Sequence, residues 1–271
     1  MRRPVRRLPA RRLRAEIEAT ILPTRDAPRP VSAPGAIVFA PAPGWLQPGR
    51  RVYAVGDVHG CADQLAALHA AIAEDLARRP VADSLLIHLG DYIDWGPDSA
   101  GVIDMLVHRP IDDLRTINLA GDHEQMLLDA LDGDRAAATD WLVAGGKDAL
   151  LSWGLDPEMP RDEWASALPA AHVAFLRSLV LSHREGGYLF VHAGIRPGVK
   201  LANQARDDLQ RMRQPFLYTE RDFGVVVVHG HSTAGVATVQ ANRIGIDTGA
   251  GIGGKLTCAV LEEDRVGFLT A

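Results

Sequence analysis

LLIHLGDYIDWGPD, residues 85–98, decides the fold. An apolar run of strand character stops at Gly90-Asp91, a second carboxylate follows at Asp94, and Gly96-Pro97 turns the chain. A buried strand that ends this way carries an acidic side chain to its carboxyl end, where open α/β sheets bind ligands. Working outward, three more stretches have the same build: VYAVGDVHG at 52–60, TINLAGDHE at 116–124 and YLFVHAG at 188–194. A fifth, VVVVHGH at 225–231, also ends in histidine. Core packing alone gives no reason for five apolar strands to end in Asp or His.

The 271 residues, 47 % of them hydrophobic, suffice for a sizeable core in one large or two small domains. The net charge of -5 hides an asymmetry, because Arg2, Arg3, Arg6, Arg7, Arg11, Arg12 and Arg14 crowd the amino end and leave the body more acidic. The body is therefore not expected to bind nucleic acid. Cys61 and Cys258 are too few for a disulfide framework, and no run of about 18 apolar residues exists to span a membrane. Prolines and arginines break up any secretory core near the start, so a cytoplasmic protein is expected.

Residues 1–46 read as a basic, proline-rich tail that either contacts an acidic surface or is a solvated extension. The domain then runs from 47 to 271. Leu65, Leu68, Ile72 and Leu76 recur at helical spacing after the first strand, and Asp98 or Ser99 is placed to cap the helix carrying Val102, Ile103 and Leu106. A third strand at 116–119 and a helix with Met126, Leu127 and Leu131 complete a βαβαβα series, which calls for a largely parallel sheet. Residues 134–183 read as a helical insert broken at Gly145-Gly146 and at 156–160, with Trp141, Trp153 and Trp164 as packing. Strands return at 188–191 and 225–228, and 256–269 reads as a hairpin turning at 262–264.

The candidate metal ligands are Asp57, His59, Asp91, Asp122, His192 and His231. Mixed carboxylate and imidazole sets suit Mn, Fe or Zn, and a shared carboxylate, for which Asp91 is the natural choice, holds two ions about 3.5–4 Å apart. Asp57 and His59 are two residues apart, so on a strand both would point the same way.

In order, GDVHG, GDYIDWGPDS, GDHE, HAGIRPG and HGHS resemble the five blocks of the calcineurin-like metallophosphoesterases, most closely the bacterial serine/threonine protein phosphatases of the PPP type. The similarity runs from about residue 47 to 271. It implies an α/β fold with a two-sheet β-sandwich core flanked by helices and two divalent ions at the strand ends, manganese being the leading candidate. One ion would take Asp57, His59 and Asp91, the other Asp91, Asp122, His192 and His231. It further implies hydrolysis of a phosphorylated protein or small phosphate monoester by a dimetal-activated hydroxide. His123 matches the general acid, Asp94 the carboxylate that orients it, and Arg213 and Arg196 match arginines near the phosphate.

Two positions depart from that pattern. Trp95 stands where the family usually has arginine, and Asp122 where it has asparagine. An indole offers one donor and no charge, so monoester binding should weaken. Trp95 could instead stack on a base, as a symmetric dinucleoside polyphosphate hydrolase would need, and the double departure also admits a metal-binding pseudophosphatase. Cys61 reads as a small packed residue or an oxidant-sensitive thiol, and Asp247, in IDTGA, as a support of the ligands or a turn residue.

Overall fold

The computed structural model describes residues 37–108 and 111–271. In chain order these form β1 (Ala40–Pro41), β2 (Arg50–Val55), α1 (Ala62–Arg78), β3 (Asp83–His88), α2 (Ser99–Val107), β4 (Arg115–Asn118) and α3 (Asp122–Leu131). A helical stretch follows, with α4 (Arg135–Trp141), a π-helical turn (Leu142–Gly146), α5 (Lys147–Ser152), α6 (Trp164–Ala167) and α7 (Ala170–Ser178). The rest comprises β5 (Ser182–Glu185), β6 (Tyr188–Val191), α8 (Arg206–Arg211), β7 (Val226–His229), β8 (Thr238–Gln240), β9 (Arg243–Gly245), β10 (Thr257–Glu262) and β11 (Arg265–Thr270).

Two sheets result, ordered β1-β11-β10-β2-β3-β4 and β5-β6-β7-β9-β8. β2, β3 and β4 are parallel in the first, and β6, β7 and β9 in the second. The sheets pack face to face through alternate residues: Val52, Ala54, Leu85, Ile87, Ala259 and Leu261 meet Tyr188, Phe190, Val226, Val228 and Ile244. The opposite set on the first sheet, Tyr53, Val55, Leu86 and Val260, packs on Leu65, Leu68, Ile72, Val102 and Ile103 of α1 and α2. On the outer face of the second sheet Leu189, Val191 and Val227 pack on Leu209, Met212 and Phe216. Strands covered on both faces read as unbroken apolar runs, which is why they stand out in the sequence.

Several expectations shift. The first sheet is mixed, since the β10–β11 hairpin lies antiparallel beside β2 with Ala259 opposite Ala54. The chain joins the fold before residue 47: Ala40 pairs with Val266 in β11, and Leu46 is buried between the sheets. The reading of residues 1–36 as a tail lies outside the described residues. β5, β8 and β9 escape a sequence reading because they are short, and because β5 and β8 are edge strands, so β5, SHRE, carries no apolar run. The break at Gly145 is present, with φ 118 inside the π-helical turn. No helix among the described residues is long and apolar enough to cross a membrane.

Candidate metal centre and active site

Because β2, β3 and β4 run parallel, as do β6 and β7, their carboxyl ends bring Asp57, His59, Asp91, Asp94, Asp122, His123, His192 and His231 to one edge of the sandwich. Two close groups form there, Asp91 with Asp122, His192 and His231, and His59 with Asp91 and His123. Asp91 belongs to both. Its Oδ2 lies 3.3 Å from His192 Nε2 and 3.5 Å from His59 Nε2. Asp122 Oδ1 lies 3.3 Å from His192 Nε2 and 3.1 Å from His231 Nδ1.

Backbone carbonyls fix two of the rings. His59 Nδ1 donates to the Ile93 carbonyl at 2.9 Å and His192 Nδ1 to the Leu89 carbonyl at 3.0 Å, which turns both Nε2 atoms toward Asp91. His59 and Asp57 are not on a strand. They sit in the turn after β2, where His59 has φ 44, and their convergence comes from that turn and not from strand alternation. Asp57 stays out of the close groups because its Oδ2 accepts the His231 backbone N–H at 2.7 Å; its Oδ1 is buried with no hydrogen-bond partner.

That unpartnered oxygen is the test of whether cations fit. A buried carboxylate oxygen with no donor is costly, and a cation supplies what is missing. The backbone makes room for it: a Cβ on Gly230 would fall 1.8 Å from Asp57 Oδ1, and one on Gly121 would fall 2.0 Å from Asp91 Oδ1. Protonation tells the same story. Burial pushes Asp57 well above the carboxylate range, reinforced by Asp247. Burial would also raise Asp91 and Asp122, yet the histidines beside them hold both below that range, while the same carboxylates lift His192 well above its ordinary value against its own burial. The carboxylates thus demand positive charge, and divalent cations at this spot would replace the histidine protons. The residues fit two such ions.

His123 stands beside this set. Its Nδ1 lies 2.6 Å from Asp94 Oδ2, and its Nε2 faces Asp91 Oδ2 at 4.0 Å. Asp94 is fully buried, and Trp141 Nε1 donates to it at 2.9 and 3.1 Å. Burial alone would lower His123, but Asp91 and Asp94 outweigh it and raise the ring to about 10.

Sequence reasoning missed two contributors. Glu124 accepts backbone N–H groups from Asp91, Tyr92, Ile93 and Gly121 at 2.7–3.3 Å, clamping the turn after β3 to the start of α3. Its position as the third residue of α3, within GDHE, was the available signal. Trp141, taken as packing, is that and also the donor that fixes Asp94; nothing in its spacing marks this.

The remaining candidates divide. Arg213 reaches the site, donating from Nε to His231 Nε2 at 3.2 Å and from Nη2 to the His231 carbonyl at 3.3 Å. Arg196 is turned to Asp208 in a two-bond pair. Asp247 is buried, accepts from Thr233 Oγ1 at 2.6 Å and steadies the loop after His231. Burial raises the Cys61 thiol, which disfavours the reactive thiolate.

Known proteins resemble this chain in sequence and in fold. The chain is 30% identical over 229 residues to serine/threonine-protein phosphatase 1 of Salmonella typhimurium strain LT2, covering 79% of this chain and 93% of that one. It is 34% identical over 153 residues to the symmetrical bis(5'-nucleosyl)-tetraphosphatase of Methylococcus capsulatus, covering 54% of this chain and 44% of that relative's length. Among solved structures, one described as a putative diadenosine tetraphosphatase superposes with a TM-score of 0.59 at 22% identity over 83% of this chain and 96% of that one. At such identity the likeness speaks for the fold alone. The family model for calcineurin-like phosphoesterases matches residues 50–263, and the chain belongs to that family.

Proposed function

We propose that this protein is a divalent-metal-dependent hydrolase of phosphate monoesters, of the protein serine/threonine phosphatase kind. Asp57, His59, Asp91, Asp122, His192 and His231 would hold two ions, with manganese expected and iron or zinc as alternatives. When bound, such ions supply an acidified water near neutral pH and neutralise charge on phosphoryl oxygens. The observation that carries the reading is the Trp141–Asp94–His123 chain, aimed at Asp91.

Each link of that chain has a task in leaving-group protonation. Trp141 holds Asp94 in one rotamer, and Asp94 holds the His123 ring by Nδ1 and favours its protonated form, leaving Nε2 on the side of Asp91. The Nε2 proton is then available to the departing alkoxide. Arg213, the guanidinium at the site, would pair with phosphoryl oxygens.

The phosphatase reading draws support from a relative matched over 93% of its length. The dinucleoside tetraphosphate reading has a match to under half of its relative, and Trp95 is poorly placed to receive a base because its ring already stacks on His59 at 4.1 Å. A pseudophosphatase would have little use for a buried, oriented acid.

Adding Mn2+ to metal-stripped protein is expected to restore hydrolysis of an aryl phosphate and a phosphoserine peptide. His123→Asn and Asp57→Asn should each cost about 10²–10⁴-fold in kcat, the usual scale for a lost acid or ligand. Absence of turnover with any divalent ion bound stoichiometrically would overturn the reading. Preference for a dinucleoside tetraphosphate would move the substrate class.

A further inference from the structure

The first 36 residues hold nine arginines, no lysine and three acidic residues, and seven of the arginines precede residue 15. Hydrolysis at the metal centre makes no use of them. A cavity of about 450 Å³ elsewhere on the molecule has the complementary chemistry. Gly187, just before β6, and Val226, the first residue of β7, line it, so it lies at the amino ends of the parallel strands that lead to His192 and His231.

Trp45, Glu220 and Asp222 give this cavity its character. The Trp45 side chain is held in place, because its carbonyl accepts the Gly187 N–H at 2.9 Å and a Cβ on Gly187 would fall 3.0 Å from Cδ1, yet the residue is 56% exposed. An open indole face attracts cations. Glu220 has no hydrogen-bond or ion-pair partner among the described residues, and Asp222 engages only Oδ1, with the Gly224 N–H at 2.7 Å. Nearby guanidinium groups do not neutralise them. Arg243 donates to the Leu217 and Thr219 carbonyls and to Asn242 Oδ1, and Arg221 does not line the cavity, its Nη1 lying toward Gly198. Val225 and Val226 complete the lining with an apolar surface that suits an alkyl stem.

We propose that this cavity holds an arginine from the chain's own first fourteen residues, with its guanidinium against Trp45 and its charge met by Glu220 and Asp222. A planar guanidinium can stack on an indole while donating in-plane to carboxylates, which an ammonium cannot do. The connection allows it. Ile37 packs on Gly267 eight residues before Trp45, and the 23 residues from Arg14 to Ile37 can span up to about 75 Å. Each contact is weak at this exposure, so the tether is what fills the cavity: a linked ligand acts at an effective concentration of about a millimolar. The inference is independent of the hydrolytic reading, and either can fail without the other.

The test follows the Trp45 indole N–H by NMR in the full, Zn-loaded chain. Arg2→Ser, Arg3→Ser, Arg6→Ser, Arg7→Ser, Arg11→Ser, Arg12→Ser and Arg14→Ser, made together, should move that signal and leave the rest of the spectrum of residues 37–271 in place. A synthetic peptide of residues 1–14 should then return it toward the wild-type position with a Kd of about a millimolar or below, and should bind wild type about tenfold more weakly, because the tethered arginines compete. Glu220→Gln with Asp222→Asn, added to the seven replacements, keeps the indole probe and should weaken peptide binding by about tenfold. An unmoved Trp45 signal on loss of the seven arginines would overturn the inference. Equal peptide affinity for wild type and the seven-fold variant would also overturn it, assigning the cavity to a basic segment of another molecule. A wild-type signal that moves with protein concentration would do so too, assigning the cavity to a second copy.

Discussion

The two ends of β2 each bury a cluster of charges, and they are built on opposite plans. At the amino end Arg51 donates to Glu262, to Tyr53 Oη at 3.0 Å and to Asp75 at 3.3 Å, while Arg79 grips Asp75 at 2.6 and 2.7 Å and Glu262 at 2.7 Å. Tyr53 Oη donates to Asp75 at 2.6 Å, and Arg265 covers the second Glu262 oxygen at 2.8 Å. Each carboxylate oxygen there has a donor. At the carboxyl end the carboxylates outnumber the fixed cations and Asp57 Oδ1 has no partner. One cluster is complete within the chain; the other is complete only with cations. The difference separates structural charge burial from functional charge burial on a single strand.

If that division is right, damage to the amino-end cluster should lower stability without touching the chemistry. Arg51→Met leaves Asp75 to Arg79 and Tyr53, and Glu262 to Arg79 and Arg265, so charge balance survives while each carboxylate loses a charged donor, at a cost of about 1.5–3 kcal/mol. Urea unfolding should register that loss, while kcat per folded molecule stays at the wild-type value. A matching fall in kcat would mean that the two ends are mechanically coupled and the comparison too simple.

The carboxyl-end cluster should behave in the reverse sense. Withdrawing two cations from it removes ligand stabilisation of about 5 kcal/mol if each is normally present at a hundredfold over its Kd. Calorimetry with and without chelator should show this as a fall in Tm of about 10–20 °C for a domain of this size. Asp57→Asn sharpens the contrast. In chelator it removes a carboxyl group whose ionisation burial penalises and should raise Tm, and with Mn2+ it should lower Tm relative to wild type. A drop in both conditions would make Asp57 an ordinary structural carboxylate.

The two clusters were unequally visible in the sequence. Most carboxyl-end residues could be read because Asp57, Asp91, His192 and His231 follow strands buried on both faces, so an apolar run points straight at them, whereas Asp122 follows the half-exposed edge strand β4 and is marked by its Gly-Asp step. Arg51, Asp75 and Glu262 carry no such pointer: Arg51 and Glu262 lie at strand ends that look exposed, and Asp75 at one position on a helix. They meet only because the β10–β11 hairpin lies antiparallel against β2, a pairing at a separation of about 200 residues that no local pattern encodes. Trp141 was unreadable for the same reason, since its role depends on where the helical stretch docks. The mixed sheet likewise follows from the carboxyl-terminal hairpin choosing β2 as its neighbour.

A third buried cluster, beside the carboxyl end of β2 where His88 pairs with Val55, tests the comparison at the smallest scale. His69 on α1 and His88 on β3 face each other with Nε2 atoms 2.9 Å apart, and His88 Nδ1 donates to Asn118 at 2.8 Å. This pair has no counter-charge of either kind, so burial pushes His69 down to about 4 and His88 down to about 3, His69 adding to the latter shift. Folded values below the unfolded value of about 6.5 mean that the unfolded chain binds more protons as the medium acidifies. Stability is therefore whole above about pH 6.5 and declines as pH falls toward 4, by about 2 kcal/mol between pH 7 and 5 for His69 alone. His69→Gln keeps a donor toward His88 and cannot titrate. At one fixed Mn2+ concentration its unfolding free energy should fall less steeply than wild type over that interval by about that amount. Equal slopes would mean that the pair already shares a proton in the fold, and that neutral burial is not a third plan beside the self-paired and cation-requiring ones.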